Sequence, residues 1–85
     1  MKEHPMDPLI GQIQLFAFNF APNGWMLCNG AILRIEQYTA VFSLVGTTYG
    51  GDGQTTFALP KLTGKEPIPG SIYCICVEGI YPSRP

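Results

Sequence analysis

The chain has 85 residues, which is the length of one domain. Its net charge is −1 and only 13% of its residues are charged, about half the usual quarter. Without a Lys/Arg cluster, nucleic-acid binding by phosphate neutralisation is excluded, and no apolar run reaches the roughly 20 residues of a membrane span. So few charges favour a surface that is partly covered by other copies or by another partner.

The N-terminal residues 1–9 contain two prolines and no periodic pattern, and they are predicted to form a flexible arm. They lack the apolar stretch and cleavage site of a signal peptide, so synthesis in the cytoplasm is expected, with any release by lysis or by assembly into a particle. A single domain is expected over residues 10–81, followed by a C-terminal tail at 82–85.

The first strand is predicted over residues 11–20, where the sequence GQIQLFAFNF alternates between two faces. Phe16, Phe18 and Phe20 lie on one of these faces. The second half of the stretch is apolar on both faces, which predicts that it is buried on both.

A hairpin is predicted next. Residues 25–28 form its first strand, Asn29 and Gly30 are a strong two-residue turn signal, and residues 31–33 form the return strand. Trp25 is interpreted as an anchor of a small core rather than as an exposed binding residue.

One amphipathic helix is predicted over residues 36–45, EQYTAVFSLV. The pattern there changes from period 2 to helical period, with apolar residues at i, i+3, i+4 and i+7: Tyr38, Val41, Phe42 and Val45. Gly46 is placed as the glycine that ends this helix.

The glycine-rich stretch GTTYGGDGQTTF at 46–57 is not expected to bind a ligand. A phosphate loop needs a lysine where this chain has Asp52, and a calcium loop needs more than one carboxylate. Asp52 is instead predicted to bond its own backbone in a turn. The glycines are predicted to allow positive φ or a close backbone approach, and Tyr49 is expected to pack.

The C-terminal stretch SIYCICV at 71–77 is a nearly continuous apolar run, typical of a central strand buried on both faces. The N- and C-terminal strands are expected to be neighbours. The predicted fold class is therefore α+β: a small β-rich domain of short strands and a hairpin around one helix at about 36–45.

No constellation for catalysis or metal binding is found. His4 is the only histidine, and Cys28 has no base to activate it, so an enzyme is not expected. Cys28, Cys74 and Cys76 do not match zinc spacing. Packed free thiols are favoured, while pairing of Cys28 with Cys74 or Cys76 is left open. No cofactor is expected.

Three segments together resemble the phage tail collar domain family, and within it the small microcystin-dependent-like proteins. These are IGQIQLFAFNFAPNGWMLCNG, TAVFSLVGTTYGGDGQTTFALPKLTGK and IYCICVEGIYPSRP. The family signature falls on Gly24, Trp25, Cys28, Gly30, Gly46, Tyr49, Gly50, Gly51, Asp52, Gly53, Phe57, Pro60 and Gly64. Members usually carry a long segment before the C-terminal strand, whereas here residues 65–70 make that connection directly.

The resemblance implies a tail-collar-like fold and a structural, non-catalytic module of phage or phage-like tail fibres, typically a homotrimer. Self-association is expected, with other tail-fibre proteins as further partners and the virion or tail as the final location. Residues with apolar side chains that one small body would not cover are candidates for core or subunit interface: Phe16, Phe18, Phe20, Tyr73, Ile75 and Val77.

Two alternative functions are left open. One is a binding module that recognises a cell-surface glycan or host protein through Tyr49, Asp52 or Trp25. The other is a stand-alone bacterial protein co-opted from a phage tail. The missing variable segment makes the first alternative less favoured.

Overall fold

A computed structural model of the chain describes residues 7–83. Within these residues the chain forms short antiparallel strands, a 3₁₀ helix and an α-helix, which confirms the predicted α+β class. No helix among them is long and apolar enough to cross a membrane. The elements, numbered in chain order, are β1 (Ile13–Phe16), β2 (Trp25–Leu27), β3 (Ile32–Arg34), the 3₁₀ helix (Ile35–Gln37), α1 (Thr39–Val45), β4 (Thr56–Ala58) and β5 (Ile72–Cys76).

The three-stranded sheet has the order β1-β5-β2, so the C-terminal strand lies in its centre. On one side β5 pairs with β1, with Ile13 opposite Ile75. On the other side it pairs with β2, with Trp25 opposite Cys76. Both the central position of this strand and its contact with the N-terminal strand are as predicted from its apolar sequence.

The predicted hairpin of β2 and β3 is wrong. The two strands belong to different sheets, because β2 pairs with β5 and β3 pairs with β4. Asn29 and Gly30 do form a local turn, in which the Asn29 side chain accepts the Ala31 N–H at 3.1 Å and Gly30 has φ 81. This turn passes the chain from one sheet to the other, since strands distant in sequence supply the pairing partners.

The first strand is shorter than predicted: β1 ends at Phe16 and residues 17–20 form bends. The partner strand explains this, because β5 begins at Ile72, directly opposite Phe16, and the chain before it turns, with Ser71 donating its N–H to Ile68 O at 3.2 Å. Phe18 and Phe20 are consequently 39% and 60% exposed, so the predicted burial of this stretch on both faces is also wrong.

The helix is split near its start. Residues 35–37 form the 3₁₀ helix, and α1 begins only at Thr39, because Tyr38 between them has a non-helical backbone with φ −137 and ψ 47. The end of the helix is as predicted: Gly46 has φ 56, and its N–H donates to the Phe42 carbonyl at 2.8 Å.

The core lies between α1, the β3–β4 pair and the inner face of the three-stranded sheet. Val41 from the predicted helical stripe is fully buried, and the rest of the stripe packs against the core. The ring of Phe42 lies 5.5 Å from that of Phe57, centroid to centroid. The buried cluster consists of Cys28, Leu33, Val41, Phe57, Leu59 and Ile75.

The chain ends of the described part are tied together. Ile80 donates its N–H to Pro8 O at 3.1 Å and accepts the Ile10 N–H at 2.9 Å. The Tyr81 hydroxyl lies 2.6 Å from that of Ser43 on α1. Backbone pairing therefore reaches Pro8, inside the predicted arm at 1–9; residues 1–6 and the tail residues 84–85 lie outside the described residues.

Replacing Ile75 by alanine is expected to lower the free energy of unfolding by about 2–5 kcal/mol, because its side chain is completely buried in the central strand. Ile32→Ala is the matched control, since Ile32 is 61% exposed and should lose less than about 1 kcal/mol. Urea titration followed by Trp25 fluorescence measures both, and equal losses would contradict the assigned core.

Candidate functional site

The glycine-rich loop closes around the carboxylate of Asp52. Its Oδ1 accepts the backbone N–H groups of Gln54, Thr55 and Thr56 at 2.8, 2.8 and 2.9 Å. Its Oδ2 accepts the Thr55 hydroxyl at 3.0 Å. The side chain thus organises its own loop, as the sequence predicts for an Asp in a turn.

These bonds favour the charged form of the carboxylate. The backbone N–H groups of Thr55, Thr56 and Gln54, in that order, hold the pKa of Asp52 well below its usual range, and the Thr55 hydroxyl acts in the same direction. An acid that stays ionised at neutral pH and whose two oxygens are both bonded is a poor proton donor. The carboxylate therefore serves the loop backbone rather than a reaction.

The loop lies directly against the backbone of β4. Gly50 O accepts the Ala58 N–H at 3.0 Å. A Cβ atom at Gly51 would lie 2.3 Å from the Phe57 Cα and 2.7 Å from Thr56 O, and the φ of Gly51 is +96°. Position 51 thus requires glycine for two separate reasons, the left-handed backbone and the lack of space.

Tyr49 does not pack as expected, since it is 49% exposed. The loop contacts β4 through the bare backbone of Gly50 and Gly51, and the preceding aromatic side chain is left at the surface. Sequence reasoning also missed the part of Thr55 and Thr56, although hydroxyl residues three and four positions after an Asp in a turn are the signal for such bonds.

The outer face of the three-stranded sheet is mostly apolar, with the exposed Gln14 of β1 opposite Cys74 as its polar member. Opposite residues in antiparallel strands share a face, so Phe16 of β1 and Trp25 of β2 lie on the same side as Cys74 and Cys76 of β5. The rings of Phe16 and Trp25 meet edge to face with centroids 5.1 Å apart. The small cysteines between them leave room for this contact, and both are fully buried.

Two further rings continue this surface along the chain. Phe18 lies 5.1 Å from Phe16, and Phe20 lies 4.8 Å from Phe18, centroid to centroid. We call Phe16, Phe18, Phe20 and Trp25 the aromatic strip. Leu27, 38% exposed, lies on the same face of the sheet as Phe16 and Trp25. The four rings are thus joined by successive contacts into one partly exposed apolar strip, with Gln14 beside it on the same face.

The candidates for core or interface divide between the two faces of the sheet. Ile75 is fully buried and is a core residue, and Tyr73 and Val77 are half-buried and pack against the core. The three phenylalanines of the strip lie on the other side. Their role as a subunit interface stays a prediction.

The three cysteines are free and buried. Burial, together with the neighbouring Cys74, raises the pKa of Cys28 to about 11. Burial also raises the pKa of the Cys74 and Cys76 thiols. Since the thiolate is the reactive form, these are packing residues rather than nucleophiles. Among residues 7–83, no three His, Cys, Asp or Glu side chains are grouped to hold a metal ion.

Cavities also open on the surface of residues 7–83, and two of them bear on the proposed sites. One, of about 190 Å³, is lined by Arg34, Ile35, Glu36, Gln54 and Thr55. The other, of about 220 Å³, is lined by Leu27, Cys28, Asn29, Thr63, Glu66, Ile72 and Tyr73. Neither is lined by Trp25, Tyr49 or Asp52, so the residues considered for glycan recognition do not converge on either cavity.

Replacing Gly51 by alanine is expected to destabilise the fold by several kcal/mol, since it adds about 1–3 kcal/mol of steric overlap to the strain of a positive φ. Gly64→Ala is the matched control. Gly64 has a similar φ of +89°, but its Cβ would meet nothing within 4 Å, so about 1 kcal/mol is expected. Thermal unfolding compares the two, and similar melting temperatures would refute the close approach.

Replacing Asp52 by asparagine is expected to lower the melting temperature at pH 7, because the charge that attracts three N–H groups is lost. The folded pKa is depressed, so the stability that this carboxylate contributes is present above its ordinary value of 3.8 and is lost as pH falls towards the folded value.

The variant should accordingly show a weaker loss of stability than the wild type when the pH is lowered below about 4. Glu36→Gln is the control, since within residues 7–83 the Glu36 carboxylate makes only an exposed ion pair with Arg34 at 3.8 Å. If the melting temperature of Asp52→Asn fell between pH 4 and lower pH as steeply as that of the wild type, the assigned role of the carboxylate would be contradicted.

Comparison with known proteins agrees with the family resemblance. The model of the phage tail collar domain matches residues 11–67, which include β1 to β4, α1 and the whole glycine-rich loop. The chain matches none of the curated proteins with which it was compared. Because the family match spans more than half of the sequence, this chain belongs to the phage tail collar domain family.

Proposed function

We propose that this chain is a structural module of a phage or phage-like tail fibre, of the small microcystin-dependent-like kind, that works by assembling with copies of itself as a homotrimer. The collar domain is a structural domain of phage tails, which supports the general role. The observation that carries the self-association is the exposed aromatic strip. Other tail-fibre proteins are the further partners, and the virion or tail is the place of function.

The strip offers enough apolar area to matter for association. Each aromatic side chain buries about 150–250 Å² when fully covered. Phe18 and Phe20 leave 39% and 60% of their surface exposed, so covering them alone would remove well over 100 Å² from water. At about 25 cal/mol per Å², this is a gain of several kcal/mol, in a region that would form the centre of a standard interface.

The sequence around the strip is also depleted of charge. Between Asp7 and Arg34 the chain contains no Asp, Glu, Lys or Arg, and both outer strands of the three-stranded sheet lie in this stretch. Depletion of charged residues together with enrichment in aromatic residues is typical of the core of an interface. The part of the chain without charged residues is therefore the part where the partner is proposed to bind.

A non-catalytic role fits the chemistry of the described side chains. Both oxygens of the Asp52 carboxylate are bonded within its loop, and the buried thiols have raised pKa values. Recognition of a glycan or a host protein is less well supported, because Trp25 packs on Phe16 and Asp52 is engaged by its own loop. No observation favours a co-opted bacterial role over a tail-fibre role.

Sedimentation velocity at tens of micromolar tests the proposal. The wild type is expected to sediment as an oligomer, and Phe20→Asp is expected to weaken association at least about tenfold, because a charge would enter the aromatic strip. Ile68→Asp is the matched control, since Ile68 is exposed to 54% in the connection before β5, outside the strip. Circular dichroism verifies that both variants are folded.

If the wild type sediments only as a monomer at tens of micromolar, the self-association proposal is wrong. Equal effects of Phe20→Asp and Ile68→Asp would show that the strip is not the interface. Binding of the monomer to a glycan array or to a host-cell protein would favour the alternative of a recognition module.

A further inference from the structure

We propose that copies of this chain exchange strand β5, so that β5 of one copy completes the three-stranded sheet of the next. The exchange is a contact additional to the aromatic strip, and it rests on the self-association proposed above. The partner is a second copy of this chain, and its binding site is the slot between β1 and β2.

The slot is defined by the hydrogen bonds that β5 makes on both of its sides in the closed chain. On the β2 side, Cys28 donates its N–H to Tyr73 O at 3.0 Å. On the β1 side, Cys76 donates its N–H to Gln12 O at 2.9 Å. In the sheet β1 and β2 each pair with β5 and not with one another. The outer strands therefore form a site for a strand of this one sequence, with Ile75 filling the core beneath.

The connection to β5 is held only weakly to the rest of the described chain. The hydrogen bonds found for residues 63–70 are local: Lys65 N–H to Leu62 O at 3.0 Å, Gly64 N–H to a Glu66 carboxylate oxygen at 3.0 Å, and those that Ser71 donates to Ile68 O. Residues 67 and 69 are prolines, which bias the residues before them towards extended backbone. Such a segment is suited to act as a hinge.

The hinge also packs loosely on the sheet. The cavity of about 220 Å³ lies between Thr63 and Glu66 of this connection and Leu27, Ile72 and Tyr73 of the sheet. When the hinge opens, few contacts between the hinge and the rest of the chain are lost. Fully extended, residues 65 to 71 would span roughly 23 Å. Residues 77–81 bond to Gly24, Pro8 and Ile10 of the closed chain, so they must move together with β5. Exchange of this whole segment restores its contacts in the neighbouring copy, which makes it a low-cost route to an oligomer.

A high local concentration would favour the exchanged form. Copies held side by side by the aromatic strip present β5 and its slot at an effective concentration far above that of free chains. Because each copy both gives and receives one strand, exchange closes into a ring of any small number of copies, and it leaves the sheet order unchanged.

A cross-link between β2 and β5 tests the exchange. Leu27 lies opposite Cys74. Since the hydrogen bonds fall on the neighbouring pair Cys28–Tyr73, this is a non-hydrogen-bonded pair with Cα atoms about 4.5 Å apart, which is within disulfide reach. The probe is Leu27→Cys in a chain with Cys28→Ala and Cys76→Ala, oxidised after assembly and run on a non-reducing denaturing gel.

If β5 is exchanged, most of the protein should migrate on the gel as disulfide-linked oligomers. If each chain is closed on itself, the protein should migrate as monomers with an internal disulfide. Ile32→Cys in the same background is the control for random oxidation, because Ile32 lies on β3 in the other sheet and is 61% exposed. If Leu27→Cys does not fold, Gln14→Cys faces the same Cys74 from β1 and gives the same readout.

Linked oligomers from the probe and not from the control would support the exchange. Internally linked monomers from a sample that sediments as an oligomer would overturn the exchange and leave the proposed self-association standing. A sample that sediments as a monomer with an internal disulfide would overturn both.

Discussion

The structure depends on the pairing of one strand with two others. β5 separates β1 from β2 and hydrogen-bonds both, and it supplies Ile75 to the inner core and the small Cys74 and Cys76 to the outer face. The inner side chain joins the sheet to α1 and β4. The small outer side chains let the aromatic rings of the flanking strands meet above them. The core and the proposed interface are thus built on opposite sides of the same five residues.

The second constraint on the fold is the glycine-rich loop, which is held against β4 by contacts of its backbone. The Asp52 carboxylate gathers consecutive N–H groups, while Gly50 and Gly51 let the loop lie flat on β4. Pressing the loop onto β4 holds Phe57 in the core, where it is fully buried. A sequence that resembles a ligand-binding loop therefore stabilises the fold from within. The family match, which covers this loop, agrees with a structural domain.

Sequence reasoning succeeded where the signal is local and failed where it depends on a distant partner. The helical stripe around Val41, the glycine after α1 and the bonding of Asp52 each follow from neighbouring residues. The hairpin was wrong because Asn29 and Gly30 encode a turn but not the strand that pairs with β2. The first strand was too long because alternation continues past Phe16, whereas β5 does not. For the exposed strip, sequence supplied the aromatic residues and only the structure showed which face they occupy.

The position of β5 along the chain has a consequence for how the molecule is made. The family match ends at residue 67, before β5 begins at Ile72, so the matched segment lacks the centre of its own sheet. Because synthesis proceeds from the N-terminus, β1 and β2 are made before β5, which pairs with both of them. Closing the pair Ile13–Ile75 then requires a loop of most of the chain, which is typical of slow folding. Until β5 is in place, the strands that carry Phe16 and Trp25 lack the partner that joins them into one sheet, so the surface formed by their two rings is among the last features of the molecule to be completed.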